Sequence, residues 1–285
     1  MKMTVTLVLI ILYFTILSCD FTKEQDSKSK YENIVTKYTE IKQIESSEID
    51  DTFHVFIRLP KYYRSSEKRY PVLYLLDGDI SFNMTTSVVR YLQFGKDIPD
   101  LIIVAPAYGT LLNDNEINYR ERDYTISDVE RFSESNGGDK YLAFLKKELI
   151  PLIDSTYRTN NKRIINGYSL GGLFTINILL TENDLFDSYI AGSPFLINDI
   201  TELMVLAKNH SFSDKNKQLF ISVGELEDNN RYKIHINKLL QELSKKEGLN
   251  VKFTEFKDGT HFTCPPEALA YGLKNIFSFD QVKEQ

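Results

Sequence analysis

The chain has 285 residues, of which 42% are apolar and 26% charged, and its formal net charge is −6 at pH 7. This length fits one large α/β domain or two small ones, and the composition is that of an ordinary soluble globular protein. The negative charge gives no reason to expect a nucleic-acid partner, and no internal repeat of the solenoid kind is visible.

The N-terminus has the pattern of an export signal. An uncharged run over residues 4–17 follows a single lysine, and it is shorter than the ~20 residues that span a bilayer as a helix. The run ends in the letters ILSC, which resemble the cleavage box of a bacterial lipoprotein with Cys19 as the lipidated residue. We therefore expect residues 1–18 to be a lipoprotein signal peptide and residues 19–35 to be a polar tether in the bacterial cell envelope. The alternative is an ordinary secretory signal in which the cysteine is coincidental.

The chain has only two cysteines, Cys19 and Cys264. If Cys19 carries lipid, no disulfide can form within the chain, so the fold depends on its hydrophobic core. We expect residues 36–285 to form a single domain that reaches the membrane through the lipid anchor only. The sequence leaves the oligomeric state open.

From about Thr36 onward, strand-like and helix-like segments alternate. Two early segments alternate apolar and polar residues, as half-buried antiparallel strands do: Tyr38–Ile44 and Phe53–Leu59. Two later segments are continuously apolar, which is typical of strands buried on both faces of a parallel sheet: Pro71–Leu76 and Leu101–Ala105. Helical patterns cover Ser81–Leu92 and Lys140–Tyr157. The order predicts the α/β class, with a mainly parallel central sheet, two N-terminal antiparallel strands and helices on both faces.

The letters NGYSLGG, at residues 166–172, contain a Gly-x-Ser-x-Gly motif centred on Ser169. A short strand is expected before it, at Lys162–Asn166, and an apolar helix after it, at Leu170–Leu180. A tight strand-to-helix turn leaves no room for side chains beside the serine and exposes its hydroxyl above the sheet. The pattern therefore predicts a nucleophile, and the alternative is a structural serine in a glycine-rich turn.

A serine hydroxyl needs a base to act as a nucleophile. His261 follows the strand-like segment Asn250–Phe256 and precedes a helix that begins at two prolines. Its place on the loop after the last strand favours it as the base. The other histidines have other settings, namely an early strand, a polar stretch and a helix: His54, His210 and His235.

The acid is expected between the serine and the histidine. The predicted strand Gln218–Gly224 is followed by three carboxylates, and Glu227 lies three residues past its end. We predict that Glu227 orients the histidine, with Asp228 and Glu225 as alternatives. A helix expected near Asn229 also favours acids at its start, whether or not they are catalytic.

Seven segments occur in the order of a known family: PVLYLLDGD, NYRERDYT, FLKKELIPLID, NGYSLGG, SYIAGSPFL, ISVGELED and DGTHF. Together they resemble the esterase branch of the α/β-hydrolases, which includes ferri-siderophore esterases, esterase D and feruloyl esterases. The resemblance covers roughly residues 36–280 and is closest to the siderophore-esterase-like members, which share the signature Arg122–Thr125. Two departures fall where the substrate is expected to lie. Ile126 stands where the signature usually ends in proline, and no tryptophan follows Ser193-Pro194.

The resemblance implies a carboxylic ester hydrolase that works through an acyl-enzyme intermediate on a small-molecule ester. The oxyanion is expected to meet the backbone N–H of Leu170 and an N–H from the loop Gly78-Asp79. Arg122 and Tyr124 are expected to line the substrate. The alternative for this pair is an Arg122 salt bridge with Asp123 and a packed tyrosine.

The sequence predicts no metal and no other cofactor, because the histidines are scattered and the HEXXH and CXXC patterns are absent. Siderophore trilactones, feruloylated or acetylated glycans and simple acyl esters all fit as substrates. Two other functions remain open. One is a non-catalytic surface-binding lipoprotein with the hydrolase fold. The other is a serine peptidase on the same fold, although such peptidases usually carry an additional domain.

Overall fold

A computed structural model describes residues 36–212 and 216–283, without the side chains of residues 279–283. The predicted signal peptide, the tether and Cys19 therefore lie outside the described residues. The described part contains one sheet of eight strands: β1 Thr39–Ser46, β2 Asp51–Arg58, β3 Tyr70–Leu75, β4 Ile102–Ala107, β5 Thr159–Tyr168, β6 Ser188–Gly192, β7 Lys217–Gly224 and β8 Leu249–Phe256.

The strand order across the sheet is β1-β2-β4-β3-β5-β6-β7-β8. β1 pairs with β2 and β2 pairs with β4 in antiparallel fashion, whereas every other neighbouring pair is parallel. This arrangement is the α/β-hydrolase fold, and it confirms the predicted sheet. Because β3 to β8 run in one direction, the residues that follow them meet at one edge, which we call the carboxyl edge. The opposite edge, where these six strands begin, is the amino edge.

Helices cover both faces of the sheet: α1 Gly78–Phe94, α2 Arg120–Tyr124, α3 Gly138–Phe144, α4 Ile150–Thr156, α5 Leu170–Thr181, α6 Ile200–Asn209, α7 Ile234–Leu243 and α8 Pro265–Lys283. Two apolar cores result. One contains residues of α1 and α8, such as Val89 and Leu273, and the other contains residues of α2 to α7, such as Phe174 and Leu239. A sheet buried on both faces explains the continuously apolar strands. Within the described residues, none of the helices is long and apolar enough to cross a membrane.

Four elements differ from the sequence-based expectation. The segment expected as one helix over Lys140–Tyr157 is divided by a π-helical turn at Leu145–Leu149. β6 and α6 were not predicted as separate elements. β4 also continues through Pro106, which lies opposite Val55 of β2 and beyond the last residue that pairs with β3.

Candidate active site

Ser169 lies at a strained turn between β5 and α5. Its backbone angles are φ 59° and ψ −115°, which a residue with a side chain rarely adopts. A Cβ atom at Gly167 would lie 2.1 Å from the carbonyl oxygen of Gly171, so only glycine fits there. The turn is held by the N–H of Ser169, which donates to Gly192 at 3.0 Å, and by its carbonyl, which accepts from the N–H of Phe195 at 3.0 Å.

His261 and Glu227 meet at the same edge of the sheet. His261 Nδ1 lies 2.8 Å from Glu227 Oε2, and the exposed fractions of the two side chains are 17% and 0%. This is the geometry in which a carboxylate fixes the tautomer of an imidazole. Within the described residues, no hydrogen bond joins the Ser169 hydroxyl to His261, and the Ser169 hydroxyl instead interacts with that of Tyr232. Such serine–histidine bonds are often long until substrate is bound.

The carboxylate of Glu227 accepts two further hydrogen bonds. Its Oε1 accepts from the Ser193 hydroxyl at 2.5 Å and from the N–H of Gly224 at 2.9 Å. Burial acts to raise the pKa of Glu227, but the hydrogen bonds from His261, Ser193 and Gly224 outweigh it and lower the pKa below its ordinary value. Glu227 is therefore a carboxylate, rather than a carboxylic acid, at neutral pH.

Two tyrosines flank the imidazole of His261. The ring of Tyr232 stacks on it at 4.7 Å and 29°, and the ring of Tyr168 lies at 5.1 Å and 51°. The Tyr168 hydroxyl also lies 2.9 Å from Ser193 Oγ and 2.8 Å from the His261 carbonyl oxygen. Burial raises the pKa of Tyr232 and the interaction with Ser169 partly offsets this rise, so the hydroxyl of Tyr232 is protonated at neutral pH. The imidazole plane is thus fixed by aromatic contacts as well as by Glu227.

The other two candidate acids bind elsewhere. Asp228 Oδ1 accepts the N–H of Arg231 at 2.7 Å and caps a π-helical turn that begins at Asn229. Glu225 Oε2 accepts the N–H of Asp258 at 2.9 Å. Of the three, the structure brings only Glu227 to the histidine, and the helix start expected near Asn229 accounts for Asp228.

Asp77 and Arg120 form an ion pair near the start of α5, in which Asp77 is buried and Arg120 is half-buried. Arg120 binds both carboxylate oxygens, at 2.6 and 3.0 Å. Asp77 has a left-handed backbone with φ 58°, and its N–H donates to the hydroxyl of Tyr124 at 3.0 Å. A Cβ at Gly171 would lie 3.2 Å from Asp77 Oδ2, so the pair contacts the start of α5 directly. The bidentate pair therefore supports the backbone beside the nucleophile.

The predicted oxyanion donors lie at two helix N-termini. Leu170 and Gly78 are the first residues of α5 and α1, where backbone N–H groups have no partner within the helix. A Cβ at Gly78 would lie 2.6 Å from the carbonyl oxygen of Pro106, so this close approach requires glycine. Asp79 uses its carboxylate to accept the N–H groups of Tyr108 and Leu111, at 2.7 and 2.9 Å. This ties α1 to the loop after β4.

Comparison with known proteins agrees with this fold. The family described as Putative esterase matches residues 46–263. The ferri-bacillibactin esterase BesA of Bacillus subtilis (strain 168) is 30% identical over 259 residues, which cover 83% of this chain and 88% of that protein. The chain belongs to the Putative esterase family.

Solved structures show the same relationship. An IroE-like serine hydrolase from Shewanella oneidensis is 27% identical over 84% of this chain and 80% of that one, with a TM-score of 0.75. The siderophore hydrolase EstB from Aspergillus nidulans is 20% identical over 87% of this chain and 97% of that one, with a TM-score of 0.76, and supports the fold alone. The chain is accordingly a carboxylic ester hydrolase, and the non-catalytic alternative does not apply.

The structure corrects one expectation about this esterase. Tyr124 is fully buried, and its hydroxyl accepts the N–H of Asp77. It therefore offers no surface to a substrate. Arg122 is occupied by Asp123 at 2.7 Å and by Asp51 at 3.0 Å, which is the salt-bridge alternative. The residue of this segment that reaches the nucleophile side is Arg120, two positions earlier.

Sequence reasoning also missed four side chains around the esterase site: Tyr168, Ser193, Tyr232 and the ion pair partner Arg120. Two carried usable signals, because Tyr168 precedes the nucleophile and Ser193 follows the strand next to it, at the carboxyl edge. Tyr232 carried none, since its spacing fits a buried helix position.

A cavity of about 1130 Å³ adjoins this site. Its wall includes Phe195, whose N–H donates to the Ser169 carbonyl. The ring of Phe195 lies 5.8 Å from that of Tyr232. The guanidinium groups of Arg131 and Arg231, which also line the cavity, lie 5.0 and 5.2 Å from the Phe195 ring. Three carboxylates complete the charged lining: Asp128, Glu130 and Asp228. The cavity is large enough for a substrate well beyond the size of a simple acetyl ester.

Proposed function

We propose that Ser169, His261 and Glu227 are the catalytic triad of this esterase. His261 Nε2 accepts the Ser169 proton as Oγ attacks the ester carbonyl carbon, and Glu227 stabilises the imidazolium through Nδ1–H. The N–H groups of Leu170 and of the Gly78-Asp79 turn stabilise the negative oxygen of the tetrahedral intermediate. Its collapse releases the alcohol, which takes the proton from His261, and leaves an acyl-enzyme. Water then attacks the acyl-enzyme with His261 again as the base.

The observation that carries this proposal is the 2.8 Å contact between His261 Nδ1 and the fully buried Glu227. It lies on the same edge of the sheet as the strained Ser169 turn. Replacement of a triad nucleophile usually lowers kcat by ~10⁴ to 10⁶. We expect Ser169→Ala to do so with a p-nitrophenyl ester. A variant that kept a tenth of the activity would contradict the triad.

The proposed substrate is a large aromatic ester of the siderophore class. The relative from Bacillus subtilis is named for a ferri-siderophore, and the cavity beside Ser169 presents two arginines around an aromatic ring. A guanidinium over an aromatic wall suits an aromatic group, because both the guanidinium plane and the ring can stack on it. A simple neutral ester would use neither arginine.

A panel of esters tests the substrate class. Ferric and iron-free catecholate trilactones, a feruloyl ester and p-nitrophenyl acetate are compared by kcat/KM, with the matched amide to detect peptidase activity. We expect a trilactone to be the best substrate and the double variant Arg131→Ala/Arg231→Ala to raise KM for it by about tenfold. The KM for p-nitrophenyl acetate should stay the same. A higher kcat/KM for the feruloyl ester, or an equal rise in KM for both esters, argues against the class.

We further propose that Cys19 carries a lipid anchor in the bacterial cell envelope. The support is the sequence pattern, a short uncharged run that ends in ILSC and is followed by a polar stretch. A lipoprotein cysteine carries enough acyl chain for stable attachment, unlike a single myristoyl group. Cys19→Ala should release the protein from membranes or leave its signal uncleaved. A correctly processed variant that stays in the membrane fraction would contradict the anchor.

A further inference from the structure

The described chain enters the domain at the amino edge of the sheet. Thr39, the first residue of β1, pairs with Arg58 at the end of β2, and Arg58 lies opposite Ile103 near the start of β4. The N–H of Leu59 also donates to the Tyr38 carbonyl at 2.9 Å. Ser169 and His261 lie at the opposite edge.

The amino edge also carries a basic cavity of about 700 Å³. Four cationic side chains line it: Lys68, Arg69, Lys96 and Lys162. Asp100 is the acidic residue among the described lining residues. The nearby carboxylate of Asp97 is paired with Lys274 at 2.9 Å. In a chain whose net charge is −6, this concentration of positive charge marks a surface for an anionic partner.

Exposed aromatic rings lie beside the cations. The last turn of α1 presents Tyr91 and Phe94, with exposed fractions of 78% and 89%, and Gln93 between them lines the basic cavity. Tyr62, on the loop after β2, is 59% exposed. Aromatic rings next to basic residues are typical of surfaces that rest on the interface of a bilayer.

We propose that the amino edge lies on the anionic bilayer that holds the lipid anchor, with the basic cavity over lipid headgroups and Phe94 in the interface. This inference rests on the proposed anchor. Thr39 begins β1 at this edge, so the amino edge is the part of the domain nearest to Cys19 along the chain. Such tethering makes a weak electrostatic patch effective, because its binding becomes intramolecular. The carboxyl edge then faces away from the bilayer, open to substrate.

The chain has no tryptophan, so a single substitution gives a unique fluorescent reporter. We would place Phe94→Trp in the full chain, reconstitute it in vesicles that contain brominated lipids, and measure quenching. Leu112→Trp, on the loop after β4 and 50% exposed, is the matched reporter at the carboxyl edge. We expect at least twofold stronger quenching of Phe94→Trp than of Leu112→Trp in phosphatidylglycerol vesicles. The difference should shrink in phosphatidylcholine vesicles and in high salt.

Charge reversal tests the cations separately. In the Phe94→Trp chain, Lys68→Glu/Lys96→Glu should reduce the quenching. Lys238→Glu/Lys252→Glu, which changes net charge equally at exposed positions of α7 and β8, should not. The activity of Lys68→Glu/Lys96→Glu on a soluble ester should stay within twofold of the parent, because both lysines lie at the amino edge and Ser169 lies at the carboxyl edge.

Each outcome decides the proposal. Equal quenching of the two reporters, or equal effects of the two lysine pairs, overturns it even if the protein floats with the vesicles. If the chain carries no lipid, the anchor proposal fails. Sedimentation of the same chain with phosphatidylglycerol vesicles, lost only in Lys68→Glu/Lys96→Glu, then still supports the surface. Its absence overturns the surface as well.

Discussion

Ser169 lies between two buried carboxylates that are held in different ways. Glu227 faces His261, a partner whose charge changes during the reaction, and it accepts additional hydrogen bonds from Ser193 and Gly224. Asp77 faces Arg120, a partner that is always charged, through two parallel contacts. Glu227 therefore keeps hydrogen bonds from Ser193 and Gly224 when His261 is neutral. Asp77 depends on the single cation Arg120.

The difference matches what each side of the nucleophile must do. The base side has to tolerate a proton that arrives at and leaves His261, so its carboxylate needs neutral donors as well. The oxyanion side has to present fixed N–H groups to a developing charge, and a rigid guanidinium fork holds the backbone at Asp77 and Gly78. Variants on the base side should therefore lose mainly kcat. Variants on the oxyanion side should lose kcat and also free energy of unfolding.

The largest expected effect among these variants is on the base side. Glu227→Gln should lower kcat by ~10³ or more with little change in KM, because the imidazolium loses its stabilising charge and its tautomer is no longer fixed. Steady-state kinetics on a p-nitrophenyl ester, with thermal melts as a folding check, measure this. Glu225→Gln and Asp228→Asn are the matched controls and should stay within about tenfold of the parent. If Asp228→Asn were the crippled variant, the assignment of the acid would be wrong. If all three stayed active, the enzyme would work as a Ser169–His261 dyad.

On the oxyanion side, Arg120→Gln should affect both stability and rate. Loss of one partner leaves the charge of buried Asp77 uncompensated, which costs about 3 kcal/mol of unfolding free energy. The displaced backbone should lower kcat by roughly 10²-fold, the size of effect seen when an oxyanion donor is lost. Denaturant unfolding and kinetics on the same samples give both numbers.

The double variant Asp77→Asn/Arg120→Gln is the control for this prediction. Removal of both charges should restore part of the unfolding free energy, because no unpaired charge stays buried. The rate should stay low, since the fork that holds the backbone is still absent. A double variant no more stable than Arg120→Gln would show that the pair does not act through charge compensation.

A smaller effect is expected at Tyr232. Tyr232→Phe removes the hydroxyl beside Ser169 but keeps the ring on His261, so kcat should fall by about tenfold, the worth of one hydrogen bond. Tyr232→Leu also removes the stacking on His261, so its kcat should be about fivefold lower still. Tyr271→Phe, whose ring packs on Phe256 and lies 56% exposed, is the control and should be unchanged. Equal rates for Tyr232→Phe and the parent would mean that the hydroxyl has no part in the reaction.

The sequence allowed the fold and the edge of the site to be predicted, because both depend on local patterns. Apolar runs identify buried strands, and residues that follow parallel strands must meet at one edge. Ser169, His261 and Glu227 each follow such a strand, and each was found from its spacing to that strand's end. Among the three acids, Glu227 was predicted because it lies three residues past the end of β7. The structure places Glu227, and neither of the other two, against His261.

Other contacts could not be predicted, because they depend on how distant segments pack. Arg120 and Arg122 sit in one short segment, and only the orientation of α2 decides which one meets Asp77. The rings of Tyr168 and Tyr232 reach His261 from β5 and from a π-helical turn, more than 60 residues apart in the chain. A helical spacing assigns Tyr232 to the core and says nothing of its hydroxyl.

The smallest expected effect concerns the pH dependence of stability. The pKa of Glu227 is lower in the folded chain than its ordinary value of about 4.3, because donors to its carboxylate outweigh burial. Its ionised form therefore adds stability that is fully present above this ordinary pKa and is lost as the pH falls through the lower, folded value. Glu227→Gln cannot titrate, so the gap in unfolding free energy between the parent and this variant should be steady near neutral pH. It should narrow as the pH falls below about 4. Denaturant unfolding of both proteins between neutral and acidic pH measures the gap, with Glu225→Gln as the control for an exposed acid. A gap that stayed constant over the whole range would mean that the hydrogen bonds to Glu227 do not favour its charged form.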